Sequence, residues 1–153
     1  MPPDTVKPRL ASIAEDYITG VVTGHSRIPR DLSTADMPAL VVMTGAAQQV
    51  QLGGGVIQEL RTYSLALLAL PWVMGVETEA EEILEPFFRR VALCFWGRPG
   101  LHLEDNTDAL AGVQDVQVLG DSGVIEIALA AVSYAGTMIE LQVEELFLVE
   151  RGA

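Results

Sequence analysis

The feature that most limits the fold lies near the C-terminus, in "AAVSYAGTMIELQVEELFLV". From Ile139 the chain alternates strictly. Ile139, Leu141 and Val143 fall on one side of an extended backbone, and Glu140, Gln142 and Glu144 fall on the other. A period of two cannot make an apolar stripe on a helix, so the segment reads as a strand with one face on a core and one face wet. Phe147 and Val149 continue the apolar face, whereas Leu146 and Leu148 put apolar side chains on the polar one. Glu145 alone interrupts the apolar face, which calls for an exposed edge or a shifted register there. A second segment, "VIQELRTYSLALLALPW", is imperfectly alternating at first and then apolar on both sides, as a central strand is. A sheet with at least one fully covered strand is therefore required.

The remaining elements fit around it. Val6, Leu10, Ile13, Tyr17, Ile18 and Val21 recur at helical spacing and predict a helix over Val6 to Val22. "GHSRIPRDLSTADMP" reads as an extended connection, with His25, Arg27 and Arg30 as its basic patch. "ALVVMTG" predicts a short strand from Ala39 to Thr44. "AAQQVQLGGGVIQ" then reads as a long loop or hairpin tip centred on Gly53, Gly54 and Gly55, long enough to reach a neighbouring molecule. "ETEAEEILEPFFRRVALCFWG" predicts an amphipathic helix with a capping box at Thr78 and Glu81, four glutamates in its first turns, and a kink or break at Pro86. Its apolar stripe is Ala80, Ile83, Leu84, Phe87, Val91, Cys94 and Phe95. "GDSG" at 120–123 reads as a hairpin turn, and "YAGT" at 134–137 as a further reversal or bulge. Ile125, Ile127 and Leu129 are then expected on the same buried sheet face as Ile139, Leu141 and Val143, under the helix. The fold class is α+β: a mainly antiparallel sheet flanked by two or more helices, with a long glycine-tipped loop, in one domain spanning 1–153.

The charge balance narrows function. The chain has 153 residues and a formal charge of −12, from 21 acidic and 9 basic side chains. Gripping nucleic acid requires Lys and Arg to displace counterions from phosphate, so the charge argues against a surface that grips nucleic acid, though not against DNA sliding past without sticking. Half of the residues are hydrophobic and the mean hydropathy is +0.33, which suits burial between subunits. "MPPDTVKPRL" lacks an apolar core, so no secretory signal is expected, and "LALLALPWVM" is too short to span a bilayer. The lone Cys94 sits among apolar residues and reads as a core thiol. His102, Glu104, Asp105 and Asp108 fall in one loop but lack the spacing of a calcium loop. The glycines lack the following Lys-Ser or Lys-Thr of a phosphate loop. No nucleophile–base pair is visible, so the chain does not read as an enzyme, and no metal or cofactor is expected.

The order of elements resembles the tail terminator proteins of long-tailed bacteriophages. The resemblance rests on "RTYSLALLAL", "ETEAEEILEPFFRRVALCFW" and "VSYAGTMIELQVEELFLV", about two-thirds of the chain, and on texture rather than any sharp motif. It implies a structural virion protein, assembled in the host cytoplasm and residing in the tail or neck. Six copies would form a ring that caps the tail tube, ends its polymerisation and presents a docking face to a head-completion or connector protein, with DNA passing through the lumen. On that reading Gly53, Gly54, Gly55, Phe147, Leu148 and Val149 are interface residues, and Glu140 and Glu144 face the lumen. The alternatives are a head–tail connector or neck adaptor, and a cytoplasmic α+β domain that binds a small molecule.

Overall fold

Two long antiparallel ribbons build the sheet. A computed structural model of the chain describes residues 5–30, 32–104 and 106–148. In the first ribbon β2 (Ala39–Gly53) turns back at Gly54 and Gly55 into β3 (Val56–Pro71). In the second, β4 (Val113–Asp121) and β5 (Ile125–Leu129) run one after the other along the same side of β6 (Val132–Leu148). β3 and β6 pair with each other along nearly their whole length, which joins the ribbons. A three-residue strand, β1 (Thr23–His25), adds in parallel to the outer side of β2. The order is β1-β2-β3-β6-β4, and only the β1 contact is parallel. The fold is therefore α+β, a mainly antiparallel six-stranded sheet with two α-helices, α1 (Val6–Tyr17) and α2 (Glu77–Trp96).

Both helices cover one face. Leu10, Ile13 and Ala14 of α1 and Ala80, Leu84, Phe87, Val91 and Phe95 of α2 join Leu40, Val42, Leu65, Leu67, Ile139, Leu141 and Val143 in one buried cluster. Fully burying a large side chain of this kind contributes roughly 1.5–3 kcal/mol. Among the described residues, neither α-helix packs on the opposite face. Its end near Ala39 is closed by a smaller cluster in which Met37 and Leu32 pack over Val41, Ala66, Leu68, Ile127, Leu129 and Tyr134. That second cluster is why the latter half of β3 is apolar on both sides.

Several expectations are corrected. Of the two forms expected for the glycine-rich stretch, the structure has the hairpin tip and not the long loop: strand pairing runs out to Gly53 opposite Val56, leaving a two-residue turn. Gly54 and Gly55 have φ of +62° and +79°, the left-handed region that a side chain disfavours, and this fits a tight hairpin turn. α1 ends at Tyr17, five residues early. α2 begins at Glu77 with Val76 as cap and no side-chain cap bond, so Thr78 lies inside the helix and no capping box forms. Pro86 leaves α2 unbroken because it and Glu82 are exposed, and water can solvate the Glu82 carbonyl that the ring deprives of a donor.

"GDSG" does not reverse the chain. It carries β4 into β5 past one extra residue: four steps from Asp121 to Ile125 face three from Ile139 to Gly136. Ser122 bridges the gap, its N–H donating to the Met138 carbonyl at 2.9 Å and its Oγ accepting from the Met138 N–H at 2.9 Å. One extra residue flips every later side chain to the other face. Ile127 and Leu129 therefore enter the helix-free cluster, and Ile125 is partly exposed, away from Ile139, Leu141 and Val143. The reversal comes instead at Ala130 and Ala131, and "YAGT" lies mid-strand in β6.

Candidate functional site

The residues expected at an interface meet at one end of the sheet. Val56 pairs with Leu148 and Ile57 with Phe147, so the glycine turn and the end of β6 lie side by side. Phe147 is 38% exposed and Leu148 74%, and Val50 and Leu52 of the same hairpin are also exposed. Phe147 and Leu148 are thus exposed in the single chain and not part of its core. Val149 lies outside the described residues. Beyond Glu145 no described strand pairs with the β4 side of β6, although the Leu146 N–H still donates to the Gly112 carbonyl at 2.8 Å, and this end of the sheet contributes no residue to the helix-packed core.

The helix-free face between this end and the small cluster is polar. Glu140 and Glu144 stand on it, both half-buried, on strand β6. Ser64 Oγ donates to the Glu140 carboxylate at 3.0 and 3.2 Å, and Gln58 Nε2 donates to Glu144 Oε1 at 2.9 Å. Gln142 lies between them, and Asp115 and Gln117 of β4 pair with Glu144 and Gln142. The structure thus brings Glu140 and Glu144 onto one open, acidic stripe with hydrogen-bond donors fixing each carboxylate.

Glu145 faces the helices instead. It pairs with Glu59 across β3, and burial first, then the Glu59 charge, pushes its carboxyl above the ordinary value. Tyr63 beside it is pushed up to about 12, by burial and then by Glu145. Glu59 is held down by the hydrogen bond from Arg61, at 2.8 Å. No sequence pattern marked this cluster, because Glu59, Arg61 and Glu145 meet only through strand register.

A further surface was missed. Ala92, Leu93 and Trp96 of α2 and Asp115, Val116, Gln117 and Val118 of β4 line an open groove of about 670 Å³. Trp96 is 82% exposed. Spacing of three residues from Leu93 to Trp96, off the buried stripe, is the signal that could have marked it.

Groups with chemical potential are occupied structurally. His25 Nε2 bonds Thr23 Oγ1 at 2.9 Å. The Cys94 thiol is raised by burial, and Arg98 Nη1 donates to the Cys94 carbonyl at 3.1 Å. The buried Arg9 guanidinium donates to the carbonyls of Leu101 at 3.0 Å and Asp108 at 2.6 Å, tying α1 to the loop after α2. Asp108 in turn accepts from the Leu103 N–H at 2.7 Å, and Asp105 lies outside the described residues. Among the described residues, no group of three or more His, Cys, Asp and Glu side chains is placed to hold a metal ion, and no helix is long and apolar enough to cross a membrane. Compared with known proteins, the sequence matches no family model and no curated protein.

Proposed function

We propose that this chain is a structural protein of a long-tailed bacteriophage virion, a tail terminator that self-assembles into a ring of the six copies its resemblance implies. The observation that carries this reading is the exposed end of the sheet. A glycine turn, Val50, Leu52, Phe147 and Leu148 gather there, far apart in sequence and exposed in the single chain. An acidic protein that leaves such an apolar end uncovered is built to be covered by another molecule. The candidates are a neighbouring copy or the end of the tail tube. The acidic stripe of Glu140 and Glu144 supports a wall along which DNA slides without adhering.

Two measurements test the reading. Six copies of the 16.4 kDa chain (6 × 16.4 = 98.4 kDa) should appear as closed rings by native mass measurement and electron microscopy, alone or on tail-tube ends. In the phage that encodes it, loss of the protein should give tails of uncontrolled length that do not join heads. Tails of normal length that join heads would overturn the assignment.

A further inference from the structure

The register of the sheet aligns its two outer edges. Ile125, Gly136, Leu68, Ala39 and Thr23 form one row that crosses all the strands. Asp121, Ile139, Leu65 and Val42 form a second row, and Val113, Glu145, Glu59 and Gln49 a third. β1 shares this one row with β5, and its other two rows, through Thr137 and Met138, face the 122–124 link between β4 and β5, so no β1 row is one that β4 spans. From Val42 to Gln49 no described strand pairs with the outer side of β2, and these are the rows that β4 spans from Asp121 to Val113.

The two edges also differ in charge. From Val42 to Gly53, β2 carries no charged side chain, although natural edges are commonly guarded by charge or proline. The opposite edge carries Asp115, Asp121 and Glu126. The exposed Arg27 and Arg30 follow directly on β1, two and five residues past its end.

We propose that β4 of a second copy of this chain pairs, antiparallel and without axial stagger, with the open stretch of β2, Val42 to Gln49. Three observations point to this occupant. The open rows of one edge match the strand of the other in length and level. An uncharged edge accepts a carboxylate-bearing one without placing like charges opposite each other, which matters between copies that each carry −12. β1 ends at His25 in the row of Val41, one row from that in which the incoming copy brings Asp121, and the exposed Arg27 and Arg30 follow it in sequence. Because the two edges differ, the joint is heterologous and each copy leaves one of each edge free for the next, as a ring requires. The inference rests on the self-assembly proposed above and is independent of the tail tube.

Gln117 shares a row with Gln142 and Thr62, and Thr62 faces the irregular step between Thr44 and Ala47 that contains Ala46. Paired strands bring such residues within disulfide reach. In a Cys94→Ala background, oxidising a mixture of Ala46→Cys and isotope-labelled Gln117→Cys proteins should give dimers containing one of each. A chain carrying both substitutions should give a ladder of multimers. Asp121→Arg should cut the yield severalfold, and adding Arg27→Asp and Arg30→Asp should restore it. Cross-linking of Ala46→Cys with itself, or no cross-link at all, would overturn the joint. Rings that form without the cross-link sink the joint and leave the ring; cross-linked open chains that never close sink the ring and leave the joint.

Discussion

Glu145 is the residue whose placement departs most from its neighbours. Alternation puts it on the apolar side of β6, and the structure keeps it there, half-buried and opposite Glu59. From Gly136 to Leu148 the strand pairs in register with β3, so no bulge relieves the carboxylate on that side; the expected register shift lies on the other, where Val113 and Asp115 of β4 face Glu145 and Glu144. Its raised pKa has a definite consequence. The folded state holds the Glu145 proton more tightly than the unfolded chain does. This contribution to stability is complete below the ordinary value of 4.5 and is lost as pH rises through the raised one. Glu59, held down by Arg61, behaves oppositely: its contribution is present above the ordinary carboxylate value and is lost as pH falls. Glu145→Gln should therefore raise the melting temperature at neutral pH, and the gain should vanish below pH 4.5, where the wild-type carboxyl is itself protonated. Glu59→Gln should lower the melting temperature at neutral pH and lose its effect in acid. Melting curves from pH 3 to 8 check both, and a Glu145→Gln gain that does not change with pH would remove burial of the charge as its cause. The anomaly at Glu145 was legible from alternation alone. Its partners were not, because nothing in the local sequence around Glu59 and Arg61 fixes which row of β6 they face.

At the scale of elements, glycine is the signal that misled. "GDSG" has the composition of a hairpin turn, yet the chain runs straight on along β6, with Ser122 standing in for the missing ladder bonds. The actual hairpin turns at Ala130 and Ala131, with φ of +50° and +65°. Alanine carries no turn signal, and the left-handed region costs an L-residue roughly 1–2 kcal/mol. The turn is held by the strands on either side of it. Ala130→Asn with Ala131→Gly supplies the residues that a two-residue hairpin favours. It should stabilise the protein by about 1–2 kcal/mol, seen as a higher urea midpoint at unchanged slope. A lower midpoint would mean that the alanine side chains contribute packing worth more than the strain. Gly136 misled for a different reason. A Cβ there would lie 2.3 Å from the Leu67 carbonyl oxygen, so the glycine serves close approach of β6 to β3 rather than a reversal. The helices, by contrast, were legible in type and in buried face: Ala80, Leu84, Phe87, Val91 and Phe95 are buried as their spacing predicts. Their ends were not, because α2 starts one residue before the threonine that looked like its cap.

The whole molecule is a sheet with one face closed by helices and the other closed only at one end. The open acidic stripe bears Glu140 and Glu144, and its exposure follows from the position of the small cluster under Met37. Alternation made the polar face legible; the extra residue at 122–124 hid where that face gives way to a second core. In the proposed six-membered ring the formal charge is 6 × −12 = −72. DNA carries one negative charge per ~1.7 Å of axis, so a wall with excess carboxylate repels it and a basic wall holds it. Glu140→Lys with Glu144→Lys removes the acceptors of Ser64 and Gln58, two hydrogen bonds of roughly 0.5–1.5 kcal/mol each, without touching the apolar core. The double variant should still fold and form rings, while DNA ejection slows and becomes more dependent on salt. Glu140→Gln with Glu144→Gln retains polar partners for both donors and separates charge from shape: it should eject at a rate between wild type and the lysine variant. If the lysine rings eject at the normal rate at low salt, the stripe does not line the path of DNA, and the acidic face belongs to the outer wall.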